Sequence, residues 1–300
     1  MTKLLLYIAT AFLLTVATIK AEPLLDISYD SNGAQPDYLD LDPKTGEHVM
    51  KPVPVAPLKK YKLSIVAAID SDDTIERNDR IPEIIDANYG RSFARCKLEF
   101  FDKEGNESTF LLYGRSILRA KSIHFVSREM QNYVTVFYAP PHAETLRLTL
   151  LPKNRGLMIK KLVLEPETTE GTVNCNPDFR YGTLNLSGWN PDTEGRLYRR
   201  PDGTTVLKCG TQSGSSMFAV DDKARYSFFC KGEGYSSTDG KVTVSFYDID
   251  GNELGYTHLF WDKDMKDGAT KSEIQPLPGS KLAILKASRI ILHAVKVTKD

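Results

Sequence analysis

The sequence predicts an all-β protein built from two similar β-sandwich modules, on three observations. An alternating apolar stretch that enters an Asp-x-acid-Gly-Asn-Glu turn occurs twice, at 98–107 and at 244–253. Alternation with a period of two is typical of a half-buried strand, and glycine after an acidic residue supplies the positive φ of a tight hairpin. The other apolar runs are short, rich in β-branched or aromatic residues, and bounded by Pro, Gly or Asn, which favours sandwiches over an α/β fold. The same features surround both hairpins in the same order.

The first 21 residues predict a secretory signal peptide. A short basic region around Lys3 precedes an apolar core, and the segment closes on Ala21 before a polar stretch. The alternative is an uncleaved membrane anchor, but the run from Leu4 to Ile19 is slightly short for a span and is interrupted by threonine. Cleavage after Ala21 is favoured, and no later stretch is expected to cross a membrane. The protein is therefore expected to be secreted or periplasmic.

The first module is predicted over 22–167. A polar, proline-rich lead-in is followed by a strand at 61–69 and by an insertion near 72–93 that has the composition of a loop. After the first hairpin the predicted strands are 122–126, 133–138, 145–151 and 157–164. The connector 165–171 contains no large apolar residue and is the expected domain boundary.

The second module is predicted over 168–300 as a related copy of the first. Its strands are expected at 196–199, 204–209, 217–220, 226–230, 244–247, 257–261, 282–285 and 290–297. The positions that match between the copies are Tyr61 with Tyr226, Phe100 with Phe246, Gly105 with Gly251, Pro141 with Pro278, and 157–164 with 290–297. The duplication is degenerate, because the first copy carries the insertion and lacks a clear equivalent of 174–189.

Charge and motif spacing exclude several functions. Lys plus Arg and Asp plus Glu each number 39, and the basic residues are scattered rather than gathered into the stripe that a nucleic-acid surface shows. The five histidines are dispersed, and no cysteine pair has the spacing of zinc ligands. Acidic residues are plentiful, but none stand out as a glycosidase pair. We therefore expect no catalytic residues, no resident metal and no cofactor.

Four cysteines are few for a disulfide scaffold. By strand parity, Cys209 and Cys230 both face inward, so a disulfide between them can form in an oxidising compartment, and two buried thiols are the alternative. Cys96 shares its parity with Leu98 and Phe100 and is predicted to be a core thiol.

The second half resembles a known family. The succession 176–179 (Asn-Pro-Asp-Phe), Gly188-Trp189, 226–229, 244–251 and 278–280, closed by an alternating last strand, is similar to that of jelly-roll carbohydrate-binding modules of the galactose-binding-like superfamily. The resemblance covers 174–300 and extends more weakly over 61–166. It implies two tandem jelly-roll sandwiches and a glycan ligand.

A structural calcium ion, which the resemblance would imply, is not supported. The family often has glutamate directly after the phenylalanine, where it helps to hold the ion, but Arg180 stands there in this chain, and a cation cannot ligate calcium. The acidic turn 248–253 has too few oxygen ligands in sequence for a calcium loop, so a plain hairpin turn is favoured.

Aromatic residues beside polar ones are the candidate ligand-binding residues. Sugar rings stack their C–H faces on Trp or Tyr, while neighbouring polar side chains bond the hydroxyls. The candidates are Trp189, Asn190, Tyr198, Arg199, Tyr256, Trp261 and Asp262. The alternative for either tryptophan is structural: Trp189 packs under the first strand, or Trp261 caps a sandwich edge.

These observations lead to the hypothesis of a non-catalytic, secreted protein that binds a polysaccharide or oligosaccharide. The first alternative is a structural or adhesive protein whose sandwiches contact other proteins at the cell surface. A hydrolase acting on glycans through loop residues near 72–93 is less favoured, because modules of this kind seldom carry catalysis alone.

Overall fold

A computed structural model describes most of the chain. The described residues are 22–29, 37–70, 84–85, 94–108, 111–112, 115–116, 121–125, 127–153, 155–167, 171–179, 189, 196–210, 215–234, 240–261 and 268–300. The predicted signal peptide lies outside them. No helix in these ranges is long and apolar enough to cross a membrane.

Strands dominate the described residues, as the alternating pattern predicts. In the first module they are β1 (Leu25–Ser28), β2 (Leu39–Leu41), β3 (His48–Val49), β4 (Val53–Pro54), β5 (Lys60–Ile69), β6 (Ile84–Ile85), β7 (Arg95–Phe101), β8 (Leu111–Leu112), β9 (Arg115–Ser116), β10 (Lys121–His124), β11 (Gln131–Tyr138), β12 (Thr145–Leu151) and β13 (Leu157–Pro166). In the second they are β14 (Arg196–Arg199), β15 (Thr205–Lys208), β16 (Ser215–Ala219), β17 (Tyr226–Gly234), β18 (Lys241–Tyr247), β19 (Glu253–Trp261), β20 (Ala269–Ile274), β21 (Leu282–Ser288) and β22 (Ile290–Lys299). A 3₁₀ turn occupies Pro43–Thr45.

Each module pairs two antiparallel sheets. In the first module, sheet I has the order β1-β13-β5-β11 with β2 also on β13, and sheet II has the order β10-β7-β12-β3 with β4 also on β12. In the second, sheet III has the order β20-β17-β22-β15-β14-β6, and sheet IV has the order β16-β21-β18-β19. The prediction of an all-β fold with two tandem sandwiches is confirmed.

The sheets of each module enclose a hydrophobic core. In the first module, Leu63 and Ile65 of sheet I meet Leu98 and Leu148 of sheet II, and each is at most 1% exposed. The second core joins the inward residues of sheets III and IV in the same way. Burying such side chains contributes about 1.5–3 kcal/mol each, so alternation along the strands directly drives the packing.

The two acidic hairpins have the same hydrogen bonds. The Asp248 carboxylate accepts bonds from the backbone N–H groups of Asp250 (3.0 Å) and Asn252 (2.8 Å), and from the Asn252 side-chain amide (2.9 Å). Asp102 accepts the equivalent bonds at 3.0, 2.8 and 3.2 Å. Gly105 and Gly251 have φ of 83° and 86°, which costs glycine little. The carboxylates therefore hold the turn.

These turns predict a shared pH dependence. Hydrogen bonds, of which those from Asn252 are the largest cause, lower the pKa of Asp248. Burial raises the pKa of Asp102, but hydrogen bonds, mainly from Asn106, outweigh that effect, so this pKa is also lowered. A lowered pKa stabilises the fold above the unfolded value of about 3.9, and this stabilisation is lost as the pH falls through the folded value. We expect Asp248→Asn to reduce stability at neutral pH and to flatten the loss of stability between about pH 5 and pH 2. Urea unfolding at several pH values measures this.

Asp102→Asn is the matched variant in the other copy and should behave in the same way. If both variants lost stability on acidification as steeply as the parent protein does, the role given to these carboxylates would be contradicted.

One further contact and one backbone conformation recur in both copies. The Tyr61 hydroxyl accepts a bond from the Ala56 N–H at 2.7 Å, and the Tyr226 hydroxyl accepts one from the Asp221 N–H at 2.8 Å. Both tyrosines lie in the cores, so each hydroxyl needs such a partner. The matched positions His142 and Gly279, each following a proline, both have positive φ.

A β-bulge lies at the same place in each copy. On β13 the register with β5 shifts between Ile159 and Lys161, which leaves Lys160 as the extra residue. On β22 the register with β17 passes from Ala294 to Leu292, which leaves His293 as the extra residue. Because 157–164 matches 290–297, the two bulged residues occupy equivalent positions.

The modules pack directly against each other through β11. Tyr133 and Phe137 point into the first core, whereas Val136 and Tyr138, on the opposite face of the strand, belong to the second core cluster together with Tyr226. The outer face of one strand of sheet I therefore completes the core of the following module.

The chain that enters the second module is held from both sides. The Tyr138 hydroxyl donates to the Val173 carbonyl at 2.5 Å, and Lys60 Nζ donates to the carbonyls of Thr172 and Asn174, each at 3.2 Å. The buried Asn174 side chain bonds the β22 backbone in two ways, donating to Val295 O at 2.7 Å and accepting from Val297 N at 2.9 Å.

The predicted boundary between 167 and 168 stays a prediction, because 168–170 lie outside the described residues. Most of the predicted insertion near 72–93 also lies outside them. Within it, β6 pairs with β14 of the second module, Ile85 opposite Leu197 and Ile84 opposite Tyr198.

The four cysteines are buried free thiols. In this structure Cys209 and Cys230 are two buried thiols, which was the alternative to a disulfide between them. Cys96 is a core thiol, as predicted. Burial raises the pKa of both Cys96 and Cys230 to about 12, which keeps these thiols protonated and unreactive near neutral pH.

Candidate functional site

Trp189 lies in the second core and is not placed to stack on a ligand. Its side chain is 3% exposed, its ring meets that of Phe179 edge to face at 5.4 Å, and its indole N–H donates to the Asn176 carbonyl at 3.3 Å. Its inclusion among the ligand-binding candidates is corrected accordingly. The structural alternative, a tryptophan packed under the first strand, agrees with this burial.

Most of the other candidates are only partly described. Tyr198 and Arg199 belong to β14, and Trp261 ends β19, but the side chains of these three residues are not among the described parts. Asn190 and Asp262 lie outside the described residues altogether. Their roles stay predictions.

Tyr256 is the candidate that the structure presents to solvent. It lies on β19, the last strand of sheet IV, and is 65% exposed. It pairs with Ser245 of β18, which alternates with the core residues Val244 and Phe246, so Tyr256 stands on the face of sheet IV that is turned away from the core. His258, two residues along the same face, meets its ring edge to face at 5.7 Å.

A polar floor lies beside the Tyr256 ring. Lys286 of β21 extends its Nζ to the hydroxyls of Ser245 and Tyr247, both at 3.2 Å, and the same Nζ lies 5.9 Å from the centre of the Tyr247 ring. Burial lowers the pKa of Lys286, and the nearby Glu253 carboxylate opposes that shift. Tyr247 has the same strand parity as Ser245, but its side chain is fully buried and belongs to the second core cluster.

The equivalent face of the first module is arranged differently. The Glu99 carboxylate is bound by Lys97 at 2.6 Å and by the Arg147 guanidinium at 3.3 Å. Burial raises the pKa of Glu99, but these contacts, mainly the one from Lys97, outweigh it and lower the pKa overall. The carboxyl therefore stays ionised. The Arg147 guanidinium also covers the Phe101 ring at 4.4 Å. The aromatic ring of this face is therefore already stacked, whereas Tyr256 is open.

The sheet IV face combines an exposed aromatic ring with polar groups. No group of three or more His, Cys, Asp or Glu side chains in the described part of the chain could hold an ion. An open aromatic ring offers an apolar platform, and the His258 imidazole and the Lys286 ammonium group near it offer hydrogen-bonding groups. This combination suits a ligand with an apolar face and many hydroxyl groups.

Sequence reasoning named Tyr256 as a candidate but did not name Ser245, His258 and Lys286, which the sheet brings near it. His258 has the same strand parity as Tyr256, and that signal was available. The position of Lys286 depends on the register of β21 against β18, which brings together residues 41 positions apart along the chain.

Comparison with known proteins gives structural matches only. No protein-family model matches the chain, and no curated protein matches it. The tandem CBM22-1–CBM22-2 domain of Paenibacillus barcinonensis Xyn10C is 11% identical, with 94% of this chain and 98% of that chain covered and a TM-score of 0.29.

Two further solved structures are similar over most of this chain. The tandem CBM51 modules of a family 98 glycoside hydrolase from Streptococcus pneumoniae are 10% identical, with 82% and 80% of the two chains covered and a TM-score of 0.21. Allantoicase from Saccharomyces cerevisiae is 11% identical, with 82% and 75% covered and a TM-score of 0.23. Identities and TM-scores this low identify no ligand, so the site rests on its own geometry.

Proposed function

We propose that this protein is a secreted, non-catalytic glycan-binding protein and that the outer face of sheet IV is its binding surface. The observation that carries the proposal is the open Tyr256 ring standing beside the polar floor formed by Ser245, Tyr247 and Lys286. A sugar ring would stack its C–H face on Tyr256 and form hydrogen bonds with Lys286 and His258. The buried Ser245 and Tyr247 hydroxyls hold Lys286 in position.

The fixed position of the floor favours binding. Lys286 is held by two hydroxyl groups at once, so its long side chain loses little further conformational freedom when a ligand binds. The tyrosine has only two rotatable side-chain torsions and likewise presents a large area at a low entropic cost.

The proposal of secretion includes cleavage of the chain after Ala21. The mass of the exported protein tests where the chain is cleaved.

Tyr256→Ala is expected to weaken glycan binding by about tenfold or more, because truncating a central aromatic anchor costs on the order of 1.4 kcal/mol or more. A glycan array identifies the ligand class, and affinity electrophoresis or calorimetry with that glycan measures the change. Tyr256→Phe keeps the ring and should retain most of the affinity.

Met130→Ala is the matched control, since Met130 is another exposed apolar residue, 40% exposed, in a different part of the molecule. Folded protein that binds no glycan on the array would overturn the proposal and favour a role in contacts with other proteins. Binding that survives Tyr256→Ala unchanged would place the glycan elsewhere.

A further inference from the structure

A hollow of about 560 Å³ opens on sheet III, the sheet opposite the proposed Tyr256 site in the second module. Four segments meet around it: the loop at Asp178, the turn that joins β14 to β15, strand β17 at Lys231, and the bulge of β22. Its volume lies within the range of about 300–1,000 Å³ that is usual for small-ligand pockets.

The bulge explains the floor of the hollow. Along β22 the core residues are Leu292 and then Val295, so the bulge places two successive residues, His293 and Ala294, outside the core. Ala294 and Val206 are 9% and 3% exposed, but neither belongs to the core cluster. They form a small apolar floor on the outer side of the sheet, and the bulge directs a histidine to its rim.

Three charged or polar side chains are locked together at that rim. The Arg200 guanidinium bonds the Glu233 carboxylate and lies 3.2 Å from His293 Nε2, which is itself 3.3 Å from the same carboxylate oxygen. Burial, which raises the pKa of Glu233, is outweighed by the contacts with Arg200 and His293, so the carboxyl stays ionised. The arrangement crosses from the β14–β15 turn to β17 and β22 and therefore fixes one wall.

The β14–β15 turn, which carries Arg200, is held by its own aspartate. Asp202 accepts bonds from the Thr204 backbone N–H at 2.9 Å and from the Thr204 hydroxyl at 2.6 Å, and the Arg200 N–H closes the turn on the Thr204 carbonyl at 2.8 Å. These bonds keep the Asp202 carboxylate ionised, since they lower its pKa. Both the turn and the Arg200–Glu233–His293 cluster are therefore held in place without a ligand.

The balance of charge selects the kind of ligand. Asp178 and Asp202 line the hollow together with Arg200 and Lys231, so its charges balance. Glu233 already pairs with Arg200 at the rim, so an anion would meet no net attraction. A cation would have to approach an arginine and a lysine, and no metal-binding group occurs among the described residues. Interleaved donors and acceptors above an apolar floor suit a neutral compound whose hydroxyl groups both donate and accept.

We propose that this hollow is a second binding site, separate from the Tyr256 face, and that it takes a neutral polyhydroxylated ligand the size of one or two sugar units. The two sites lie on opposite sheets of one module. The hollow does not depend on the proposed function of the Tyr256 face, and either site can exist without the other.

The test titrates the full mature chain with glucose, galactose, mannose, xylose and N-acetylglucosamine, and with glucuronate as an anionic probe. The His293 ring signal in histidine-labelled protein reports binding by NMR. At least one neutral sugar should shift that signal saturably, with a dissociation constant of about a millimolar, which is usual for one small ligand in an open site. Glucuronate should bind more weakly than glucose.

The double variant Arg200→Gln with Glu233→Gln keeps the net charge and should weaken the effect by roughly tenfold, the size expected for lost hydrogen bonds to charged groups. The matched control is Lys160→Gln with Asp37→Asn, because Lys160 is the equivalent bulged residue and bonds Asp37 at 3.2 Å. That control and Tyr256→Ala should leave the His293 shift unchanged.

Absence of a shift with every neutral sugar would overturn the proposal, as would a shift that persists in the folded double variant. Tighter binding of glucuronate than of glucose would overturn the neutral ligand class. A His293 shift that disappears in Tyr256→Ala would assign the effect to the other face and would also overturn the second site. Loss of polysaccharide binding in Tyr256→Ala with the His293 shift retained would support both sites.

Discussion

Replacing Trp189 with alanine is expected to lower the free energy of unfolding by about 3–5 kcal/mol, the usual cost of truncating a large buried aromatic side chain. The indole fills the second core against Phe179, and its N–H satisfies the Asn176 carbonyl. Alanine would leave a cavity and remove one of the hydrogen bonds that the Asn176 carbonyl accepts, while the bond from the Phe179 N–H at 3.3 Å would remain. Urea unfolding, monitored by circular dichroism, measures the change.

Two further variants distinguish the effect of lost core packing at Trp189 from the general effect of removing an aromatic side chain. Trp189→Phe should keep much of the ring contact and lose the hydrogen bond, so its effect should be smaller than that of alanine. Tyr256→Ala removes an exposed ring and should change stability by no more than about 0.5 kcal/mol. A change of less than about 1 kcal/mol in Trp189→Ala would contradict the core position of the indole.

Replacing Tyr138 with alanine is expected to uncouple the two modules. The ring belongs to the second core although its strand belongs to sheet I, and its hydroxyl donates to Val173 in the connecting segment. Burial raises the pKa of Tyr138, so the hydroxyl stays protonated and able to donate. We expect a loss of about 3 kcal/mol or more. Calorimetry should show one unfolding transition for the parent chain and two for the variant.

Tyr138→Phe keeps the packed ring and removes only the bond to the Val173 carbonyl. It should lower stability by about 1–2 kcal/mol and preserve the single transition. A Tyr138→Ala chain that unfolds in one transition at an unchanged temperature would show that this ring does not couple the modules.

The fold could be predicted from the sequence because its signals are local. Alternation places Leu63, Ile65 and Leu98 inside, and the Asp-x-acid-Gly-Asn turn identifies both hairpins, so the strands and the duplication follow from neighbouring residues. The pairing of β6 with β14 joins two modules and has no such local signal.

The site was less predictable because it depends on burial and register. Trp189 and Tyr256 look alike in sequence, because each follows a glycine and precedes a polar residue. Trp189 is nevertheless buried, whereas Tyr256 is exposed. Lys286 reaches Ser245 through the pairing of β21 with β18, and this pairing cannot be read from either strand alone. His293 reaches the hollow through a bulge whose position only the paired strands define.

The duplication also has a consequence for the folding pathway. The two hairpin turns close within five residues and can form within microseconds, whereas sheet pairings between distant strands come later. During that interval β7 could pair wrongly with β21, the counterpart of its own partner β12. In the correct pairing Glu99 stands opposite Arg147, whereas Ser245 stands opposite Ile284. An exchanged pairing would set the Glu99 carboxylate opposite isoleucine, so the different outer faces of sheets II and IV discriminate against strand exchange between the modules.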